Sequence, residues 1–150
     1  MGQPKLKLIF GTGASAVTIA NYLDSYDVEV EKVYDDNLNY KSISGAEVKN
    51  VLGVRRKLTA KFEPMSTAQI HELFNAIGLS QSGVDITYID PMASDSTYPS
   101  GGSETPTYVT KKFTCEQLPT ASYFESDDGY LFWKIPDIEF TETASSWGGL

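Results

Sequence analysis

One short segment restricts the fold of this chain more than any other. Within residues 66–77, Ile70, Leu73, Phe74 and Ile77 recur at i, i+3, i+4 and i+7, which lines them along one face of a helix. Both ends are marked. Ser66 and Gln69 have capping-box spacing, Met65 and Ile70 occupy the two positions of a hydrophobic staple, and Gly78 supplies a left-handed stop. A three-turn amphipathic helix must bury its apolar face, and its neighbours indicate the surface. Leu58, Ala60 and Phe62 alternate with Lys57, Thr59 and Lys61 before it. Val84, Ile86 and Tyr88 alternate with Asp85 and Thr87 after it. Period two is that of half-buried strands, so the helix lies between two strands and packs on a sheet.

The rest of the chain extends the β pattern. Val28, Val30 and Val33 alternate with charged neighbours, and residues 42–52 carry a turn at Gly45 before the apolar Val48, Val51 and Leu52. Asp90-Pro91 ends the strand after the helix. Pro, Gly, Ser and Thr crowd residues 91–106, which read as a long mobile loop of the kind that serves function. Strand pattern resumes at 107–115, with Val109, Phe113 and Cys115 on one side. Asp127-Asp128-Gly129 turns a hairpin between a strand near 120–125 and the run Tyr130 to Trp133. Ile138 and Phe140 alternate with Glu139 and Thr141 in a last strand, and residues 145–150 read as a frayed tail. Seven or eight strands and one helix predict an α+β, mainly β fold: an antiparallel β-sandwich or barrel with one flanking α-helix at residues 66–77. Residues 1–150 are expected to form a single domain, with 1–25 as an extended N-terminal arm.

Composition limits the function. A chain of 150 residues that is 41% hydrophobic and 21% charged encloses one core and is not disordered by composition. Twelve basic and twenty acidic residues give a net charge of −8, which disfavours nucleic acid and anionic lipid as partners. No apolar run approaches the roughly 18 residues of a membrane-spanning helix. The apolar run Leu8 to Phe10 is too short for the core of a secretory signal. The single Cys115 excludes an internal disulfide and points to synthesis in a reducing cytoplasm.

The tempting motif lies at the N-terminus. Gly11-Thr12-Gly13-Ala14-Ser15-Ala16 fits G-x-G-x-x-A after a strand at Lys5 to Phe10, Val17 to Leu23 could follow as a helix, and Asp35 stands where a ribose-binding acid would. A dinucleotide fold needs further strand–helix alternation, which is missing downstream, so a flexible Gly-rich entry segment or a strand-loop-strand is the preferred reading. His71 is the sole histidine and lies off the apolar stripe of the helix. Cys115 alternates with Phe113 as a small core residue, and as a nucleophile would have only His71 for a base. The pairs Asp24 and Asp27, Asp35 and Asp36, and Asp127 and Asp128 lack calcium-loop spacing and read as solvated turns. Ser122 has no G-x-S-x-G context. No catalytic, cofactor-binding or metal-binding residue is therefore assigned, and a non-enzyme is expected. Nine Tyr, seven Phe and two Trp are more than a small core needs. Tyr108, Tyr123, Phe124, Tyr130, Phe132 and Trp133 concentrate in the last third and suggest a protein interface, with pure core packing as the alternative.

From Ser44 onward the order of segments resembles a known family. The run Arg55 to Ser66 (RRKLTAKFEPMS), the helix AQIHELFNAI and the strand DITYIDP are similar in arrangement to small tail-region structural proteins of phages and prophages of Gram-positive bacteria, of tail-tube and distal-tail type. TKKFTCEQLP and the aromatic run Tyr130 to Lys134 leading to Ile138-Glu139-Phe140 fit the later strands of that pattern. The likeness spans residues 44–142 and leaves 1–25 outside. It implies a non-catalytic structural or assembly protein without cofactor. Such a protein is made in the bacterial host cytoplasm, placed in the virion tail, and acts as a ring-forming homo-oligomer in contact with other tail proteins. Sheet edges and an ordering loop can extend into a neighbour, and one repeated heterologous contact closes a ring. The alternatives are a β-rich binding module of adhesin or sugar-binding type, and a nucleotide-binding enzyme built on the GTGASA segment.

Overall fold

A computed structural model of the chain describes residues 6–34, 40–41, 47–48, 51–78, 83–92 and 108–143. Its elements are β1 (Leu8–Phe10), β2 (Val17–Ile19), β3 (Leu23–Tyr34), β4 (Tyr40–Lys41), β5 (Glu47–Val48), β6 (Val51–Phe62), α1 (Thr67–Ile77), β7 (Val84–Ile89), β8 (Tyr108–Thr114), β9 (Ser122–Glu125), β10 (Leu131–Lys134) and β11 (Ile138–Glu142). Seven strands make one sheet in the order β2-β1-β7-β8-β11-β6-β3, and every neighbouring pair is antiparallel. β9 pairs with β10, and β4 with β5, in two separate ribbons. The fold is mainly β and antiparallel with a single α-helix among the described residues, as the periodicities predict. The sheet has two ends, β2 and β3, and is not a closed barrel.

The alternation that predicted the strands also defines the core. Register brings Leu8, Phe10, Ile19, Ile86, Tyr88, Phe113, Leu58, Ala60, Ile138 and Phe140 to one face, and each is fully or almost fully buried. α1 adds Ile70, Leu73 and Ile77 to this core. Its capping box is complete: Ser66 Oγ accepts the Gln69 N–H at 3.2 Å, and Gln69 Oε1 accepts the Ser66 N–H at 2.9 Å. Tyr22 Oη donates to Glu72 Oε1 at 3.0 Å and ties the helix to the turn before β3.

Two stretches differ from the sequence expectation or lie beyond it. The N-terminal 25 residues, expected as an arm, contain the β1–β2 hairpin, and Leu8, Phe10 and Ile19 belong to the core. The GTGASA segment is the connection of that hairpin, with a short 3-10 turn at Gly13–Ser15, and Val17–Ile19 continue as a strand where the dinucleotide reading requires a helix. β-Branched Val17, Thr18 and Ile19 favour that outcome. Both partners of β1 are antiparallel, against the parallel sheet of a dinucleotide fold. The loop predicted at 91–106 lies outside the described residues except for Pro91 and Met92, as do the turn at Gly45, Asp35, Asp36 and the tail at 145–150.

The sheet is strongly rolled. β1 and β11 are three strand spacings apart, roughly 14 Å in a flat sheet, yet the rings of Phe10 and Phe140 have centroids 5.8 Å apart. Tyr26 on β3 reaches across the roll, and its hydroxyl accepts the backbone N–H of Ile89 on β7 at 3.0 Å. A buried charge cluster spans the same gap. Arg56 of β6 donates from Nε to Asp90 Oδ2 at 2.6 Å, and its backbone N–H donates to Glu142 Oε1 of β11 at 2.9 Å. Asp90 Oδ2 also accepts from Tyr88 Oη at 3.2 Å, and Asp90 Oδ1 accepts the Met92 N–H at 2.9 Å. Burial, reinforced by the Asp90 carboxylate, pushes the Tyr88 phenol well above its ordinary pKa.

Two substitutions test this packing. Gly83 has φ +89°, and a Cβ there would lie 2.7 Å from the carbonyl oxygen of Phe113. Gly83→Ala is expected to lower the urea unfolding free energy by about 1–3 kcal/mol, since backbone strain and a backbone collision act together. Arg56→Met leaves two buried carboxylates without their cation and is expected to cost about 3–5 kcal/mol. Equilibrium urea curves at neutral pH, analysed with an unchanged slope, check both values.

Candidate functional site: an aromatic hairpin beside the sheet

β9 and β10 form a hairpin outside the large sheet. An isolated two-stranded hairpin is marginal in water, so its anchorage decides whether it holds. Met65, at the entrance to α1, supplies that anchorage through an isolated antiparallel bridge to Trp133. The Met65 N–H donates to the Trp133 carbonyl at 2.9 Å, and the Trp133 N–H donates to the Met65 carbonyl at 2.7 Å. Trp133 Nε1–H also donates to Thr67 Oγ1 at 3.0 Å, which fixes the indole over the first turn of α1. The Met65 side chain is itself in the core. The tip is a turn in which the Ser126 N–H donates to the Tyr130 carbonyl at 2.8 Å, with Gly129 at φ +84°.

Register distributes rings over both faces of this hairpin. Tyr123 opposes Trp133, with ring centroids 4.6 Å apart, and Leu131 lies on the same side. Phe124 opposes Phe132 at 6.1 Å, and Tyr130 adds a third ring on that side, 6.4 Å from Phe132. Both sides carry exposed groups: Tyr130 is 66% exposed on one, Leu131 53% and Tyr123 51% on the other, and the other exposed large apolar side chains among the described residues are Leu6 and Met92. Large rings with a hydroxyl handle, held rigidly and left in water, suit the burial of a complementary surface. Carboxylates rim the tip, with Glu125, Asp127 and Asp128 all exposed.

His71 is exposed on α1. Cys115 is half-buried just past β8, where its Sγ–H donates to the Gln117 carbonyl at 3.4 Å and burial pushes the thiol above its ordinary pKa. Ser122 is exposed at the start of β9, and Asp24, Asp27, Asp127 and Asp128 are exposed. No group of three or more His, Cys, Asp or Glu side chains among the described residues could hold a metal ion. A groove of about 430 Å3 beside β11, lined by Thr114, Glu116, Gln117, Thr120, Asp137 and Glu139 among others, is polar and open. Of the six aromatics expected at an interface, the hairpin gathers five. Tyr108 remains in the large sheet, with Lys7 Nζ 5.1 Å from its ring centroid.

The residues that sequence reasoning missed are Arg56, Asp90 and Glu142. A signal for two of them was present. Arg56 continues the inward series of Ala60 and Leu58, and Glu142 continues that of Ile138 and Phe140, so period two already pointed both charges into the core.

No helix among the described residues is long and apolar enough to cross a membrane. Comparisons with protein-family models, with curated proteins and with solved structures give no match.

The anchorage predicts a local response to truncation. Trp133→Ala removes the indole contact with Thr67 and Tyr123, so amides in Ser122–Lys134 should lose hydrogen-exchange protection while those of β6 and β11 keep theirs. Loss of protection spread evenly over all strands would contradict this.

Proposed function

We propose that the chain is a non-catalytic structural or assembly protein of a phage or prophage tail, which acts through protein–protein contacts and self-assembly. The observation that carries this reading is the exposed aromatic hairpin. Tyr123, Tyr130 and Leu131 are held outside the core by a backbone bridge at Met65 and an indole bond at Thr67. Such a surface is costly to leave in water and becomes favourable once a neighbour covers it. The resemblance of residues 44–142 to tail-region proteins supports the same reading from the sequence side. In an assembly, the hairpin of one copy seats on a different surface of the next, and repetition of that contact closes a ring or extends a stack. Other tail proteins would meet the surfaces the ring leaves uncovered.

Mass photometry across a concentration series tests this reading. The native chain is expected to form defined oligomers. A triple variant, Tyr123→Ser, Tyr130→Ser and Leu131→Ser, should stay monomeric and keep its folded far-ultraviolet dichroism. A native chain that is monomeric at every concentration, or a variant that assembles as the native chain does, would count against it.

A further inference from the structure

The second surface that stands out is the free edge of β3 and the seam it borders. β3 ends the strand order, and from Asp24 to Val33 its backbone makes no hydrogen bond to a described residue outside its ladder with β6. Because the sheet is rolled, this edge faces the far end of β7 across a cleft of about 490 Å3 lined by Leu6, Tyr26, Asp27, Val28, Ile89 and Pro91. Among the described residues, Leu6 and the adjoining Met92 are the two exposed large apolar side chains outside the aromatic hairpin. An edge with unpaired peptide groups beside an apolar shelf is the geometry that accepts an added strand.

The side chains specify what that strand must carry. Between Asp24 and Val30 the edge holds three carboxylates, Asp24, Asp27 and Glu29, and no cation. Period two turns Tyr26 and Val28 to the inner face and Asp27 and Glu29 to the outer one, with Asp27 also at the lip of the cleft. On that outer face β6 already supplies basic residues: Lys61 lies 3.9 Å from Asp27, and both Lys57 and Arg55 pair with Glu31. Asp24 and Glu29 are exposed and make no ion pair with a described residue. A second copy of β3 would set carboxylate against carboxylate, which is unfavourable across a strand pair. No other described edge strand alternates basic with apolar residues: β2, β5 and β9 contain neither lysine nor arginine, and β4 and β10 contain one lysine each, Lys41 and Lys134. We propose that β3 receives an extended segment of a different protein in which basic and apolar residues alternate, with the apolar side chains in the cleft and the basic ones over Asp27 and Glu29.

This inference rests on the assembly reading in that it names a second kind of contact, but it is measured on the monomer and does not depend on self-association. The probe is a fluorescein-labelled heptapeptide of alternating lysine and valine, titrated at moderate salt by anisotropy. A glutamate–valine peptide and a backbone N-methylated lysine–valine peptide serve as controls. The lysine peptide should bind and add exchange protection within Asp24–Val33, and the glutamate peptide should bind at least about tenfold more weakly, as like charges across an interface require. Asp27→Lys with Glu29→Lys, both at exposed positions, should reverse that preference without loss of fold. The proposal is overturned if the lysine peptide fails to bind at millimolar concentration. Equal binding of the N-methylated peptide, protection gained elsewhere, or cross-linking of β3 to β3 of a second copy would overturn it as well. Failure of the native chain to oligomerise leaves the peptide result untouched, so the two readings fall separately.

Discussion

Arg56 stands at the point where the rolled sheet is held shut. It lies on β6, takes Asp90 from the end of β7 and Glu142 from β11, and so joins segments that are distant in sequence across the inner face. A flat seven-stranded sheet would leave one face in water, since α1 alone cannot cover it. Rolling solves that problem by packing the inner face against itself, as the contact of Phe10 with Phe140 records. The buried cluster adds direction to a burial force that has none. It costs desolvation of three charged groups, so its contribution is better understood as fixing which strands meet than as net stabilisation.

What the roll leaves unfinished is the surface on which the proposed contacts rest. Closure stops short of a barrel, so β3 keeps an unpaired edge and Tyr26 bridges the gap with a single hydrogen bond to Ile89. The last third of the chain leaves the sheet after β8, makes the aromatic hairpin, and returns as β11 to the centre. That excursion places exposed rings on a support whose root is in the core at Met65. Rigid presentation matters because a ring already held in place gives up little conformational freedom when it is covered.

Local signals were legible in the sequence and non-local ones were not. The helix was readable to its caps because Ser66, Gln69 and Gly78 act within one turn of themselves. The hairpin at Asp127-Asp128-Gly129 was readable for the same reason, and with it the concentration of aromatic residues that makes the candidate site. β1 was legible as a strand, but β2 stayed open between helix and strand, because a three-residue strand shows no period and the connection imitates a phosphate-binding loop. Strand order, the roll and the attachment of Trp133 to Met65 depend on pairings between residues far apart in the chain, which alternation cannot choose among. Arg56 and Glu142 were half-legible: alternation pointed them inward, while their charge argued for the surface.

In the proposed assembly the aromatic hairpin is covered by a neighbour. Hydrogen exchange of the native chain, compared between dilute solution and a concentration at which it assembles, measures this directly. Protection should be added on Ser122–Lys134, together with one second patch on another part of the surface, since a heterologous contact has two sides. Unchanged exchange in the hairpin on assembly, with protection gained only elsewhere, would contradict it.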